Sequence, residues 1–97
     1  MSQRDEILAK LRTNLPALRR RYPIATLGLF GSVARNEAGA DSDLDIMVEF
    51  AAPLGLSQFL ALEDELSRLT DRTVDLVSRS ALKEYIGRQA MRDLVAV

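Results

Sequence analysis

The sequence contains no cysteine and no histidine, and these two absences exclude several kinds of chemistry. Disulfides, zinc sites built from thiolate or imidazole, cysteine nucleophiles and serine–histidine–aspartate triads all require one of these residues. Catalysis would therefore have to use carboxylates, hydroxyls, arginine, lysine or a metal ion bound by oxygen. No apolar run approaches the roughly 20 residues that span a bilayer, and the charged N-terminal segment is unlike a signal peptide. We therefore expect a cytoplasmic protein that does not contact membranes.

The chain is short, with 97 residues of which 47% are hydrophobic. Compact domains run from about 50 to 250 residues, so we expect residues 1–97 to form a single domain. A domain of this size buries only about 60 to 65% of the surface that its unfolded chain exposes. Such a domain is marginally stable alone, and binding to a partner would stabilise it by burying more of its surface.

Charge is distributed unevenly along the chain although the net charge is only −1. The small net charge gives no overall attraction to nucleic acid, so we expect no direct nucleic-acid partner. Residues 36–67 hold eight acidic and no basic side chains. Within them, Asp41, Asp43 and Asp45 repel one another unless a cation or positive groups offset their charges. Glu63–Glu65 is interpreted as an ordinary solvated surface.

Apolar residues recur at helical spacing in several segments separated by proline, glycine and short apolar runs. The predicted helices are Gln3 to about Arg12, continuing to Tyr22 after a break or kink near Asn14 that Pro16 imposes; residues 32–38, capped by Ser32 and ended by Gly39; the segment after Gly55 to about Thr70; and residues 80–92. Proline inside a helix removes a backbone hydrogen bond, which is why we expect the break.

Three segments have strand character, and the C-terminal tail is a fourth candidate. The predicted strands are residues 24–30, 43–50 and 73–77, while residues 94–97 form either a short strand or a docking segment. In the second strand the apolar Leu44, Ile46 and Val48 face one side of the sheet. The residues that alternate with them face the other side: Asp43, Asp45, Met47 and Glu49. The predicted fold class is α/β, a small mixed sheet of three strands, or four with the tail, with helices packed on it.

A glycine–serine pair and a pair of aspartates form the most informative pattern. Gly31 permits close approach of a phosphate to the backbone where the first strand gives way to a helix, and Ser32 can hydrogen-bond its oxygens. After a ten-residue gap, Asp43 and Asp45 lie on one strand face with Cα atoms about 6.6 Å apart. Such carboxylates can share Mg²⁺ ions that neutralise a triphosphate.

Two further residues extend this pattern. Asp75 interrupts an apolar strand, where a buried unpaired carboxylate would be costly. It is either an outward-facing residue on an edge strand or, if the third strand pairs beside the second, a third carboxylate near Asp43 and Asp45. Arg35, one turn after Ser32, can reach a phosphate or brace an acidic residue.

An EF-hand is excluded because Ile46 occupies the position that requires glycine.

Together these residues resemble the signature of the DNA polymerase β-like nucleotidyltransferase superfamily. Within that superfamily, the stretch GSVARNEAGADSDLDIMVEF and the VDLV strand resemble the minimal nucleotidyltransferases, or MNT antitoxins, which are encoded beside HEPN-type toxins. The resemblance covers roughly residues 24–92. Asn36 departs from it, since many members carry glycine there.

The resemblance implies a nucleotidyltransferase fold, a reaction and a set of site residues. AMP would move from ATP to a tyrosine hydroxyl of a HEPN-type partner toxin, with pyrophosphate leaving and two Mg²⁺ ions as cofactors. The resemblance implies that Gly31 and Ser32 hold the nucleotide phosphates, and Arg35 and Ser42 are further candidates for nucleotide binding. The residues implied for metal binding and catalysis are Asp43, Asp45 and Asp75, and Asp75 would also accept or steer the acceptor's proton because no histidine is present.

Two other functions are compatible with the residues. The protein could be a non-catalytic module that masks a toxin by contact alone, although the intact acidic positions argue against this. It could also be a nucleotidyltransferase for a small molecule, resembling enzymes that modify aminoglycosides. The lack of a second domain for the acceptor counts against that alternative.

Overall fold

The computed structural model describes residues 2–37, 39 and 42–97, and only the backbone at residues 85 and 86. Asp41 of the predicted acidic group therefore lies outside the described residues. The strands are β1 (Ile24–Phe30), β2 (Leu44–Phe50), β3 (Val74–Ser78) and β4 (Val95–Ala96). The helices are α1 (Gln3–Arg21), α2 (Gly31–Ala34), α3 (Leu56–Thr70), α4 (Arg79–Ala81), which continues as a π-helical turn (Leu82–Ile86), and α5 (Arg88–Asp93).

The four strands form one mixed sheet in the order β3-β2-β1-β4. β1 runs antiparallel to both β2 and β4, whereas β2 and β3 are parallel. The C-terminal tail is therefore a strand, and the four-stranded form of the predicted sheet is confirmed. Its two residues pair with Gly28 and Leu29 of β1.

The two faces of the sheet carry separate apolar clusters. On one face, the fully buried Leu44, Ile46 and Val48 of β2 pack in the larger cluster, which includes side chains of α1 and α3. On the other face, Met47 packs in a smaller cluster. The predicted alternation of β2 is confirmed, and it places Asp45 on the face of the smaller cluster.

Helix α1 continues through Pro16, so a break near Asn14 is wrong, while a kink there stays a prediction. Pro16 is exposed, while Leu15 and Leu18 are buried in the larger apolar cluster. The proline removes one backbone hydrogen bond, but ending the helix there would expose the apolar face that follows. The helix continues because burial of that apolar face outweighs the loss of one hydrogen bond.

Helix α2 is shorter than predicted and is bounded by different residues. Phe30 is its N-cap, so Ser32 lies inside the first turn instead of capping it. The helix ends at Ala34, and Asn36 adopts a left-handed backbone conformation with φ +61°. Gly39 is therefore not the residue that ends it. Asparagine enters this region more easily than most residues, which explains how Asn36 can occupy this turn.

The last predicted helix, residues 80–92, is divided in the structure. Gly87 has φ +97°, a conformation that other residues rarely adopt, and it separates the π-helical turn from α5. The apolar periodicity runs across this glycine, so the sequence pattern alone predicts one helix. Among the described residues, no helix is both long and apolar enough to cross a membrane.

Candidate active site

Strand pairing brings the predicted turn and two of the predicted aspartates together. Phe30 at the end of β1 pairs with Asp45 of β2, so the turn at Gly31 begins beside Asp45. On its other side, Asp45 lies in register with Asp75 of the parallel strand β3. Side chains in register on neighbouring strands point to the same face. Asp45 and Asp75 therefore share the face opposite the larger apolar cluster.

These residues line an open pocket of about 380 Å³. Its lining residues are Phe30, Gly31, Arg35, Asp45, Asp75, Gln89, Ala90 and Asp93. A larger depression of about 550 Å³ at the other end of β2 is lined by apolar residues and one serine, without a charged side chain. Volume therefore does not identify the site, whereas the three lining carboxylates of Asp45, Asp75 and Asp93 do.

Gly31 has two reasons to be glycine. Its φ of +73° lies in the left-handed region, and a Cβ atom there would clash with Oδ2 of Asp45. The carboxylate of Asp45 therefore packs directly against the Gly31 backbone. The sequence suggested that the missing side chain makes room for a phosphate; in the structure, a carboxylate uses that room.

Asp45 lies close to two other carboxylates, which act on its pKa. Burial raises its pKa, and the nearby charges of Asp75 and then Asp43 raise it further, while Arg35 opposes them. A group in this state gains when a cation arrives to neutralise its neighbours. Carboxylate oxygens are also the ligands that Mg²⁺ prefers. The donor set therefore fits a divalent cation, and Asp45 and Asp75 are the residues that would hold it.

Asp43 is less well placed than the sequence predicts. It is exposed, it precedes the first residue of β2, and it is not among the residues that line the pocket. Among the described residues, no three acidic side chains are grouped so that they could hold one ion as they stand. The ladder between β2 and β3 begins at Leu44, so sheet pairing positions Asp45 and Asp75 but does not constrain Asp43.

Arg35 braces an acidic residue, one of the two roles that its position suggested. Its Nη1 donates to Oδ2 of Asp93 at 2.9 Å, and its Nε donates to Oε2 of Glu37 at 3.0 Å. Gln89 Nε2 also donates to Asp93, at 3.2 Å from Oδ1. Sequence reasoning missed Asp93 and Gln89. The available signal was an acidic residue immediately before the apolar tail LVAV.

Ser32 and Ser42 lie near the site but do not line the pocket. Ser32 is half-buried in the first turn of α2, directly after Gly31. The Ser42 hydroxyl accepts a hydrogen bond from the backbone N–H of Gly39 at 3.0 Å, and Arg72 donates to the Ser42 carbonyl oxygen. Ser42 therefore shapes the turn that enters β2, and its nucleotide-binding role stays a prediction.

A mixed four-stranded sheet with paired aspartates beside a glycine turn defines a nucleotidyltransferase of minimal size. Residues 11–97 match the family model described as nucleotidyltransferase domain, and the chain belongs to that family.

Three relatives illustrate this membership. The chain is 40% identical over 93 residues to the protein adenylyltransferase MntA of Thermococcus cleftensis, an alignment that covers 96% of this chain and 94% of that protein. A solved structure of a protein proposed to be a minimal nucleotidyltransferase superposes with a TM-score of 0.79 at 31% identity, covering 100% of this chain and 97% of the other. A crystal structure of a toxin-antitoxin with AMP-PNP superposes with a TM-score of 0.67 at 26% identity, covering 96% of this chain and 70% of the other.

Proposed function

We propose that the protein is the antitoxin of a HEPN/MNT pair and that it transfers AMP from ATP to a tyrosine hydroxyl of its partner toxin in the cytoplasm, with Mg²⁺ as cofactor. The observation that carries the proposal is the in-register pair Asp45 and Asp75 beside the Gly31 turn. The similarity to a protein adenylyltransferase and to a toxin-antitoxin with AMP-PNP supports the acceptor class and the nucleotide.

Each residue of the pocket has a role in this reaction that follows from its position. Asp45 and Asp75, with Asp43 just ahead of β2, would hold Mg²⁺, which supplies neutralising charge for the triphosphate when bound. Arg35 lines the same pocket and can donate to phosphate oxygens. Gly31 lets Asp45 approach the backbone and thereby sets where the carboxylate lies. Most of the rate enhancement would come from positioning and charge, since no histidine is present.

Asp75 is the candidate to receive the acceptor's proton. Its side chain is exposed at the pocket, whereas Asp45 is partly buried against Gly31. In the reaction, the acceptor oxygen forms a bond to the α-phosphorus, the bond to pyrophosphate breaks, and the hydroxyl proton passes to Asp75. The exposure of Asp75 gives a bulky protein acceptor access to that carboxylate.

The pocket is open, which fits an acceptor that is itself a protein. The sheet face supplies one wall of the site, and α5 supplies a second through Gln89, Ala90 and Asp93. A docked partner would close the remaining side and exclude water from the reacting atoms.

The test is to incubate the protein with ATP, Mg²⁺ and the product of the neighbouring gene, and to weigh that product by mass spectrometry. We expect a gain in mass equal to added AMP. Asp45→Asn and Asp75→Asn should each reduce the initial rate by at least about 100-fold. Asp64→Asn is the matched control, because it removes a carboxylate that pairs only with Arg68 on the surface of α3 in the described structure.

Two results would contradict the proposal. Unchanged transfer in both pocket variants would refute the assignment of these carboxylates. Tight association of the two proteins without any gain in mass would show an antitoxin that masks its toxin by contact alone.

A further inference from the structure

Asp93 is a fourth carboxylate at the pocket, and it comes from a distant part of the chain. It lies at the end of α5, 58 residues from Arg35, whose Nη1 it binds. Its side chain is only 12% exposed. Gln89 Nε2 lies 3.2 Å and 3.4 Å from its two oxygens, so Asp93 is held from two sides.

We propose that Asp93 is a positioning residue: it holds the guanidinium of Arg35 at the pocket wall so that the remaining N–H groups of Arg35 bind the phosphates of the nucleotide. This inference rests on the proposed function, because it assumes that the pocket binds a nucleoside triphosphate. It concerns a residue to which the proposed function assigns no contact with the metal or the acceptor, and which acts through Arg35.

The hydrogen bonds of Arg35 leave donors available for phosphate. A guanidinium has five N–H groups in a fixed plane. Within the described structure, one on Nε donates to Glu37 and one on Nη1 donates to Asp93. The second N–H of Nη1 and both of Nη2 remain. Two adjacent donors of this kind match the spacing of phosphate oxygens.

Asp93, more than Glu37, determines where Arg35 points. Glu37 is 65% exposed, so water screens and competes with its bond to Arg35. The Asp93 carboxylate is largely buried and accepts a second hydrogen bond, from Gln89. An arginine side chain has many rotamers, and a rigid partner removes most of them before the nucleotide arrives.

A positioning role and a simple electrostatic role of Asp93 predict opposite changes in nucleotide affinity when Asp93 is replaced. Asp93 lies in the pocket that would receive a polyanion, so its own charge repels phosphate. If that repulsion were its only effect, replacing Asp93 by asparagine would strengthen nucleotide binding. If Asp93 positions Arg35, the same replacement weakens binding, because Arg35 loses its orientation.

The experiment measures binding of ATP in the presence of Mg²⁺ by titration calorimetry, without the partner protein. We expect Asp93→Asn to raise the dissociation constant about tenfold, the scale on which coupled contacts act. Because Asp93 acts through Arg35, the double variant Arg35→Met/Asp93→Asn should bind no more weakly than Arg35→Met alone. Asp93→Glu, which keeps a carboxylate within reach of Arg35, should stay within about threefold of the wild type. Asp64→Asn is the control for loss of one carboxylate elsewhere.

The outcomes separate this inference from the proposed function. Equal or tighter ATP binding by Asp93→Asn, or additive effects in the double variant, would overturn the positioning role while leaving the nucleotide site intact. Absence of ATP binding by the wild type would refute the proposed function itself.

A measurement on the wild type covers the case in which Asp93→Asn does not fold. The Nε–H resonance of Arg35, assigned by comparison with Arg35→Lys, should be a single sharp signal without ligand and should shift on addition of ATP with Mg²⁺. An unshifted Arg35 signal under saturating ATP would contradict the inference.

Discussion

At Gly31, backbone conformation and side-chain packing impose the same choice of residue. The backbone lies in the left-handed region, and the Asp45 carboxylate fills the space that a side chain would need. The positive φ strains any residue with a Cβ, and the close approach adds a clash with the group that would hold the metal. Gly31 is therefore required by the geometry of Asp45 as well as by its own turn.

Replacing Gly31 by alanine tests both requirements. We expect Gly31→Ala to lower the free energy of unfolding by about 2 to 4 kcal/mol, from backbone strain and from displacement of Asp45. The clash component should shrink when Asp45 is also replaced by alanine, and urea unfolding of the four proteins in this cycle measures it.

Gly87→Ala is the control for strain alone. Gly87 also has a positive φ, but a Cβ there would meet nothing within 4 Å. Its cost should be the same with or without the Asp45 substitution. A Gly31→Ala cost that is likewise independent of Asp45 would show that the close approach does not contribute.

Helix α3 completes the hydrogen bonding of the edge strand β3. Glu63 Oε2 accepts from the backbone N–H of Leu76 at 2.9 Å, and the Ser67 hydroxyl accepts from that of Val74 at 3.2 Å. Glu65, in turn, accepts from the Tyr22 hydroxyl at 3.0 Å. Interpreting the Glu63–Glu65 segment as an ordinary solvated surface was therefore wrong for these two glutamates. An edge strand with satisfied N–H groups is a poorer template for pairing with another chain.

The role of Glu63 predicts a difference between neighbouring acids. Glu63→Ala should cost about 1 to 2 kcal/mol, because it leaves the half-buried N–H of Leu76 without its acceptor. Asp64→Ala removes an exposed pair with Arg68 and should cost less than about 0.5 kcal/mol. Thermal melts give both values, and light scattering should detect more self-association for Glu63→Ala. Equal costs for the two variants would contradict this account of the strand edge.

On the scale of the whole molecule, the carboxylates gathered at the pocket lower the stability of the free protein. The raised pKa of Asp45 means that its ionisation costs the folded protein more than the unfolded chain. The stability that protonated Asp45 contributes is fully present at low pH. It is lost as the pH rises through the usual pKa of an aspartate and up to the raised pKa of Asp45. At neutral pH the free protein carries this cost, which a bound cation would relieve.

Asp45→Asn should therefore have opposite effects with and without ligand. In EDTA we expect it to raise the unfolding free energy by on the order of 0.5 kcal/mol, since solvent screens much of the repulsion at this partly exposed site. That corresponds to a Tm about 2 to 4 °C higher for a domain of this size.

Ligand should reverse the order of the two proteins. ATP with Mg²⁺ at 100 times the dissociation constant should stabilise the wild type by about 2.7 kcal/mol and the variant hardly at all. Differential scanning fluorimetry of both proteins in both buffers measures the effect. A variant that melts below the wild type in EDTA, or that keeps the full ligand shift, would contradict this account of Asp45.

Local patterns in the sequence were enough for the strands, the turn and the facing of the acid pair. Alternation along β2 assigns Asp45 to the face opposite Leu44 and Ile46, because side chains in a strand alternate. The same rule puts Asp75 on that face once β3 pairs beside β2. These features depend on spacing along the backbone, so the sequence determines them.

The remaining features depend on contacts between distant segments, and only the tertiary structure decided them. Packing of Leu18 carries α1 through Pro16, against the local preference of proline. Folding brings Asp93 to Arg35 across 58 residues, while Asp43, just ahead of the sheet, stays outside the pocket. No periodicity encodes such encounters, because each depends on how the elements pack together in three dimensions.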